Sequence, residues 1–550
     1  MTKNDAASRL TANNYQLYAL SPFITISFWF ESLKIFIPKH DPSIKTMKTV
    51  FLAFLFKASA SSFVDIMAQL RRGEMTDAVI KQDFIHWFGR HLHESSKQVA
   101  TDLNYLNHII ITTRNKKFIK GKHAKEEVMK EIEKAESVSA IFDRKFGSPS
   151  AFPLLLCKIK TLKVMYLKNV AIPSSLEKYT ELSNLEELEL HSCVIANLSC
   201  LLPANSKLKK LILHSCYILH CTIDVSRTPN LETLVINHTN MYDINKDIFM
   251  LKNLKKIDLK DNHLSALPVF DDKDALTTEE LILTRNIFEK FPSNINSFKK
   301  LKKLDLSKNI IQKFEKDFEF DESLVLEELN LAENLVKELP KNLENLQKVK
   351  SINLSSNLLT KIDPEIFRFQ TIEKLNLSLN QLEFIDESLP MIPREIFKFT
   401  RMVSGNTPVN LKELDLSYNS LLALPNSISS FVSLEKLNIE GNQFKSIPDQ
   451  VYNLLNLHVF NASFNKIREI PSWLARLPYL YELNLAGGTN SRIPTGPTNE
   501  ITKVPMLLVD RQSRKVIKIT LKGNPIQDHS TINSYGKIDL IRNYRSWIIF

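Results

Sequence analysis

An eleven-residue frame recurs along most of the chain and constrains its fold more than any other feature. The frame is Leu-x-x-Leu-x-Leu-x-x-Asn-x-Leu, with Val or Ile replacing Leu in some copies. Successive copies are mostly 23 residues apart, so the frame is a structural period rather than a compositional accident. Clear copies begin at Leu254, Leu301, Leu326, Val349, Ile372, Leu411 and Leu434, and weaker ones at Leu162, Leu185, Leu208, Leu231, Thr278, Leu457, Leu480 and Val516.

The frame has a direct physical meaning as a short strand followed by a turn. Side chains alternate along a strand, so the fourth and sixth positions point inward while the third and fifth point outward. One unit of this size cannot bury its own apolar face, so consecutive units are predicted to stack. The ninth position is Asn in ten copies, where a side-chain amide can satisfy backbone groups at a turn. These are Asn262, Asn286, Asn309, Asn334, Asn357, Asn380, Asn419, Asn442, Asn465 and Asn524.

The second half of several units begins with an aliphatic residue and a proline, as at Leu424-Pro425 and Ile447-Pro448. Proline suits the first residue of a short helix or 3₁₀ turn, because its φ is already fixed near the helical value. Frame and proline together resemble the leucine-rich repeat family, in the typical-length intracellular subclass that includes Ras-pathway scaffolds. The resemblance implies an α/β solenoid shaped like a horseshoe, with a parallel sheet on its concave face.

The repeat divides the chain into three segments. Residues 1–150 lack the frame, and helical spacing of their apolar residues predicts a small, basic, helical N-terminal region. Residues 151–526 are predicted to form an array of about 15 repeats. Residues 527–550 are predicted to form a capping helix, because an array exposes its last unit and Ile538, Ile541 and Tyr544 suit one apolar face.

The net charge of +11 is concentrated near the N-terminus. Residues 1–160 contain 24 basic and 15 acidic residues, a balance of +9. Six of the basic residues form a patch that suits a nuclear import signal, or contact with nucleic acid or anionic lipid. So short a cluster favours a solvated basic loop instead, and we expect no nucleic-acid partner. The basic patch consists of Arg114, Lys116, Lys117, Lys120, Lys122 and Lys125.

Five cysteines, all between residues 157 and 221, favour reduced thiols in the cytoplasm, because an odd number does not suit a disulfide framework. The most apolar early stretch, residues 17–30, is shorter than the roughly 20 residues of a membrane-spanning helix, so no transmembrane segment is predicted. Two alternatives stay open. Translation from Met47 would begin with a signal-like segment and give a secreted protein, and the basic patch would send the protein to the nucleus.

The sequence contains no phosphate-binding loop, nucleophile elbow, zinc-protease or EF-hand motif. We therefore predict a non-enzymatic protein without cofactor or metal. His191, His214 and His238 recur near the strand ends of successive units and are expected to stack on the surface. Cys193 and Cys216 occupy the asparagine position one period apart, where thiols can replace the amide as weak donors.

The outward positions of the frame predict the interaction surface. Residues at the third position often alternate in sign between units, so most of these charges are expected to pair with each other. The eighth position carries Leu379, Tyr418 and Phe464, with Gly441 between the two aromatics. Since aromatic residues anchor many interfaces, we expect these three side chains to form an exposed stripe with a dip at Gly441 for a partner group. The alternative is that each side chain packs against its own loop.

Together these features predict a monomeric scaffold that binds proteins on its concave face, in intracellular signalling or complex assembly. Resemblance to Ras-pathway scaffolds implies a small GTPase or a phosphatase as the partner. The alternatives are a secreted or surface-exposed recognition protein that starts at Met47, and a regulatory subunit of an enzyme complex.

Overall fold

The fold is described from a computed structural model of the chain. All described residues lie in one compact unit formed by residues 98–143 and 149–550. The structure describes residues 106–113, 116–121, 134–142, 150–152, 156–157, 159–172, 182–196, 198, 202, 206–218, 227–271, 276–340, 342–362, 371–383, 410–488, 497–509, 517–526 and 546–549.

Short strands dominate this part of the chain. In chain order they are β1 (Leu106–Thr113), β2 (Lys116–Gly121), β3 (Ser137–Phe142), β4 (Ser150–Ala151), β5 (Val164–Lys168), β6 (Val170–Ile172), β7 (Glu187–His191), β8 (Val194–Ile195), β9 (Lys210–His214), β10 (Tyr217–Ile218), β11 (Thr233–Asn237), β12 (Lys256–Asp258), β13 (Glu280–Ile282), β14 (Lys303–Asp305), β15 (Glu328–Asn330), β16 (Ser351–Asn353), β17 (Lys374–Asn376), β18 (Glu413–Asp415), β19 (Lys436–Asn438), β20 (Val459–Asn461), β21 (Glu482–Asn484), β22 (Ile517–Thr520) and β23 (Ser546–Ile549).

Nineteen of these strands form a single sheet. Its N-terminal edge is antiparallel, because β1 pairs with both β2 and β3. From β3 the pairing is parallel through β5, β7, β9 and β11 and then through β12 to β23. The register keeps each frame position opposite the same position of the next unit, as with Leu304 and Leu329. The predicted parallel solenoid is confirmed.

A second, four-stranded sheet joins β4, β6, β8 and β10 in parallel. It lies just after the main strands of the first units, where the ninth frame position lacks Asn. There the thiols take the amide's place: Cys193 Sγ lies 3.7 Å from the Leu167 carbonyl oxygen, and Cys216 Sγ lies 3.2 Å from that of Leu190. This confirms the structural role expected for the two buried cysteines.

The inward frame positions form the core. Leu304, Leu329, Ile352 and their counterparts are almost completely buried, and stacking places each on the equivalent residue of the next unit. The ninth-position asparagines tie the units together. In Asn357, Oδ1 accepts from the Val336 amide at 3.0 Å, and Nδ2 donates to the Leu331 carbonyl of the preceding unit at 2.9 Å. The predicted asparagine ladder is therefore confirmed.

The side of the units opposite the sheet consists of turns and short helices. The 3₁₀ turns are Ser293–Ser297, Leu343–Asn345, Asn426–Ser430, Asp449–Asn453 and Ser472–Arg476, and the α-helices are α1 (Lys246–Phe249) and α2 (Met506–Val509). Pro292, Pro425, Pro448 and Pro471 each directly precede a 3₁₀ turn. Proline therefore starts these turns, as the sequence predicts.

The structure differs from the expected helical character of residues 1–150, because β1, β2 and β3 lie within that range and β4 begins at its last residue. Residues 1–105 lie outside the described residues. The physical reason for β1 is its run of β-branched Ile and Thr side chains, which favour strands. In β3, Val138 and Ala140 are buried at the fourth and sixth positions of a frame that begins at Ala135, so the sheet begins before residue 151.

The C-terminal segment also differs from expectation. Residues 546–549, placed in a capping helix by the sequence pattern, form β23 and pair in parallel with β22. The remaining residues of the predicted cap, 527–545 and 550, lie outside the described part of the chain. Trp547, Ile548 and Ile549 have high strand propensity, and pairing satisfies the edge of β22 more directly than a helix would.

Candidate interaction surface

The eighth frame position has the same backbone conformation in unit after unit. Its φ is positive, between 50° and 66°, in every unit from the one containing Asn169 to the one containing Phe464. An L-residue is disfavoured there by about 1–2 kcal/mol, because Cβ approaches a carbonyl oxygen. Each strand therefore ends in a tight left-handed turn, and the eighth-position residues predicted to bind a partner all lie on this turn.

Tyr418 and Gly441 do not form the expected anchor and dip. Tyr418 is only 9% exposed, and its hydroxyl donates to Glu440 Oε1 at 2.5 Å. A Cβ atom added to Gly441 would lie 2.7 Å from Tyr418 Cδ1, so the tyrosine ring fills the space above the glycine. The expectation of an open dip is wrong, because the residue that should border the dip covers it.

Leu379 and Phe464 stand on either side of this covered position. The Leu379 side chain is 41% exposed, whereas Phe464 is half-buried. Both backbone amides donate to the next unit, at 2.8 Å to Ser417 and to Ala486, so the two turns are fixed in the same way. The structure places all three predicted residues on one line of turns, but it brings only Leu379 and Phe464 toward solvent.

The outward charges on the strands pair with each other, as the third position predicts. Lys210 Nζ lies 3.4 Å from Glu187, Lys256 Nζ 2.8 Å from Glu280, and Lys303 Nζ 2.9 Å from Glu328. Exposed pairs of this kind contribute only about 0.2–1 kcal/mol each. The central part of the concave face is therefore a largely self-neutralised surface.

A longer ladder, which the sequence analysis missed, runs along the second frame position. Glu and Lys alternate there over thirteen successive strands, and an alignment of the units on this position would have found it. Where ion pairs form, lysine contacts the glutamate of the preceding unit, as in Lys302–Glu279 and Lys350–Glu327, both at 2.6 Å. The charge ladder is Glu136, Lys163, Glu186, Lys209, Glu232, Lys255, Glu279, Lys302, Glu327, Lys350, Glu373, Lys412 and Glu435.

The charge ladder ends where exposed aromatic residues begin. After Glu435 the second position carries His458 and then Tyr481. The His458 ring lies 5.9 Å from the Tyr479 ring and 5.8 Å from the Tyr481 ring, and the tyrosines are 46% and 40% exposed. We call Glu435, His458, Tyr479 and Tyr481 the aromatic edge. Sequence reasoning missed it because Tyr479 lies just outside the eleven-residue frame.

The fifth frame position is structural in the C-terminal half. It carries Asp or Asn in eight successive units, and each side chain accepts a hydrogen bond from the amide two residues later, as Asn353 does from Ser355 at 3.1 Å. These short turns stabilise the chain where it leaves the strand. The eight residues are Asp305, Asn330, Asn353, Asn376, Asp415, Asn438, Asn461 and Asn484.

The three histidines of the first units stack as predicted. Ring centroids are 5.1 Å apart between His191 and His214 and between His214 and His238, and Tyr166 extends the stack at 4.9 Å from His191. Carboxylates lie at both ends: Glu189 is 2.6 Å from His191 and Asp261 is 3.2 Å from His238. Burial, then the neighbouring His191 and His238, lower the pKa of His214 below its usual range. We call these four rings the histidine stack.

The remaining predicted features are placed as follows. Lys116, Lys117 and Lys120 of the basic patch lie on β2, whereas Arg114, Lys122 and Lys125 lie outside the described residues. Within the ranges that the structure describes, no group of three or more His, Cys, Asp or Glu side chains is arranged to hold a metal ion. No helix in those ranges is long and apolar enough to cross a bilayer.

Comparison with known proteins gives the repeat a family name. Residues 410–431 match the Leucine Rich Repeat family. A search of curated protein sequences finds no match.

Several solved structures are similar to this chain. A leucine-rich repeat protein of Leptospira interrogans is 24% identical, covers 74% of this chain and 95% of its own, and superposes with a TM-score of 0.51. The internalin InlF of Listeria monocytogenes is 16% identical over 72% of this chain and 89% of its own, with a TM-score of 0.42. The ectodomain of the Arabidopsis receptor kinase HAESA, solved with a peptide hormone, is 22% identical, and the match covers 69% of this chain and 68% of its own, with a TM-score of 0.43.

Proposed function

We propose that this chain, a solenoid with the leucine-rich repeat fold, is a non-enzymatic scaffold that binds a protein partner on the concave face of its sheet. One contrast supports the proposal. Most outward charges of the sheet pair with each other, whereas Leu379, Tyr479 and Tyr481 are apolar or aromatic side chains that stay exposed. Self-paired charges offer a partner little, while exposed aromatic and aliphatic residues are the usual anchors of interfaces.

We further propose that the partner contacts the turns at Leu379 and Phe464. Tyr418 has a different part in this proposal: its ring covers Gly441 and its hydroxyl holds Glu440, so it shapes the surface between the two contacts. The resemblance to Ras-pathway scaffolds supports a role in intracellular signalling, with a small GTPase or a phosphatase as the partner. Identifying the N-terminal residue of the protein from its natural source by mass spectrometry separates this role from secretion, which would remove a segment near Met47.

The proposal is tested by partner capture with matched surface variants. Full-length protein and its Leu379→Ala, Phe464→Ala, Glu187→Ala and Lys303→Ala variants are immobilised, and proteins bound from lysate are quantified by mass spectrometry. The first two changes are expected to weaken a specific interaction by about 2 kcal/mol or more, as loss of an anchor does. The charge variants are expected to retain it. Loss of binding only with Glu187→Ala and Lys303→Ala would place the interface in the N-terminal half and refute the proposal.

A further inference from the structure

We propose that the aromatic edge is a binding site for an arginine side chain presented by the partner protein. The inference rests on the proposed scaffold function and assigns the chemistry of one contact in it. The charge ladder itself defines the missing group, because it stops with a carboxylate at Glu435.

Most lysines of the ladder follow one pairing rule, the exceptions being Lys163, which lies 4.0 Å from Glu136, and Lys255, for which the described residues show no ion pair with Glu232. Lys209, Lys302, Lys350 and Lys412 each lie 2.6–3.0 Å from the glutamate of the preceding unit. His458 occupies the position where the lysine for Glu435 would stand. Among the residues that the structure describes, no basic side chain forms an ion pair with Glu435. A cation from a partner would complete the series.

The backbone holds the three units of the site in register. The amides of His458 and Val459 donate to the Glu435 carbonyl at 2.7 and 3.0 Å, and the Tyr481 amide donates to that of His458 at 3.0 Å. Glu435, His458 and Tyr481 are therefore adjacent rungs of one edge, spaced by about 4.8 Å as in any sheet. A planar group bound to the Glu435 carboxylate lies within reach of the rings that follow.

The rings favour a guanidinium over an ammonium group. Tyr479 stacks on His458 with an interplanar angle of 21°, and Tyr481 meets His458 at 67°, so the edge offers both ring faces and ring margins. Guanidinium stacks on aromatic faces and donates two parallel hydrogen bonds to a carboxylate, whereas ammonium is a compact, strongly hydrated charge.

The nearby basic residues are already paired. Lys436 lies 2.8 Å from Glu413, Lys412 lies 3.0 Å from Glu373, and Lys518 lies 2.8 Å from Glu482. Of these, Lys436 interacts electrostatically with Tyr481 and would oppose a second cation most directly. Its ion pair is with Glu413, and it interacts with Glu435 electrostatically without forming an ion pair, so among the described residues Glu435 keeps a carboxylate that no ion pair occupies at this edge.

The test uses three small probes and the full-length protein. Saturation-transfer NMR titrations at pH 7.5 measure binding of Nα-acetyl-arginine amide, Nα-acetyl-lysine amide and Nα-acetyl-citrulline amide, the last being a neutral analogue of arginine. We expect the arginine probe to bind at least tenfold more tightly than the citrulline probe and several-fold more tightly than the lysine probe. Equal binding of the arginine and citrulline probes would overturn the proposal.

Matched variants locate the site. Glu435→Gln and Tyr481→Ala are each expected to reduce arginine binding at least fivefold. Glu327→Gln, which removes a carboxylate at the same frame position but paired with Lys350, is expected to leave it unchanged, and the thermal midpoint of each variant checks that it folds. Unchanged binding in Glu435→Gln would refute the inference. If the arginine-binding tests fail while partner capture still depends on Leu379 and Phe464, only the arginine site is refuted and the scaffold function stands. If arginine binding behaves as expected but partner capture does not depend on Leu379 and Phe464, the proposed function is refuted.

Discussion

At the scale of single residues, the eighth frame position shows how the side chain on one turn limits which residue fits on the turn of the next unit. Thirteen non-glycine residues of the described chain have positive φ, twelve of them at this position, so the turn tolerates ordinary side chains. Gly441 is therefore not required by its φ of 66° alone. It is required because the Tyr418 ring of the preceding unit occupies the volume where its Cβ would lie.

Replacing Gly441 with alanine is expected to destabilise the protein by about 2–3 kcal/mol, as the sum of left-handed strain and overpacking against Tyr418. Urea denaturation of the single and double variants measures both contributions. In a Tyr418→Ala background, the same glycine change should lose only about 1 kcal/mol, because the ring is gone. An identical loss in both backgrounds would show that the ring contact is unimportant.

We expect the buried asparagines to contribute more to stability than the exposed ion pairs. Asn357 donates to the carbonyls of Leu331 and Leu354 and accepts from the Val336 amide, all at 2.9–3.0 Å. Asn357→Ala leaves these groups buried without partners, and we expect a loss of about 2–4 kcal/mol in chemical denaturation. Asn353→Ala is the control, since this half-exposed side chain bonds, within the described residues, only to Ser355; its replacement should lower the free energy of unfolding by about 1 kcal/mol. Equal losses would contradict the bridging role.

At the scale of elements, the sequence frame predicted the strands of the main sheet from β5 to β22, and the reasons for its failures are local. The strand β3 was missed because its unit carries Ala135 and Ala140 where the frame expects leucine, although both are fully buried. Tyr418 was expected to be exposed because a single unit does not show what the next unit places above it. Contacts between units determine whether such side chains are exposed. The only sign of this contact in the sequence was the glycine at the same position one unit later.

The histidine stack and His263 both contribute to a pH dependence of stability. Burial and the adjacent imidazoles lower the pKa of His214, and burial lowers that of His263. Below the usual histidine pKa of about 6.5 the unfolded chain therefore binds more protons than the folded one, so stability falls as pH decreases from 6.5 toward the folded values. We expect a lower urea midpoint at pH 5 than at pH 7.5. This difference between the two urea midpoints should be smaller in the double variant His214→Gln/His263→Gln. An unchanged difference would show that other titratable groups cause it.

At the scale of the whole molecule, the sheet joins every described unit to its neighbours, so the array should unfold cooperatively. Leu354 is 1% exposed and stacks between equivalent residues of adjacent units. Leu354→Ala is expected to lower the free energy of unfolding by about 2–5 kcal/mol in a single chemical-denaturation transition. Leu379→Ala, at an exposed position one unit later, is the matched control and should change it little. A loss below about half a kcal/mol for Leu354→Ala would contradict the register.

Because glutamate and lysine alternate along the charge ladder, a change in the number of units has different consequences when it is odd and when it is even. Removing or duplicating one unit within it would set two glutamates or two lysines side by side, whereas removing or duplicating two would preserve the alternation. The lineage of this chain could therefore lengthen or shorten in even steps without electrostatic conflict, and odd steps would need a compensating substitution.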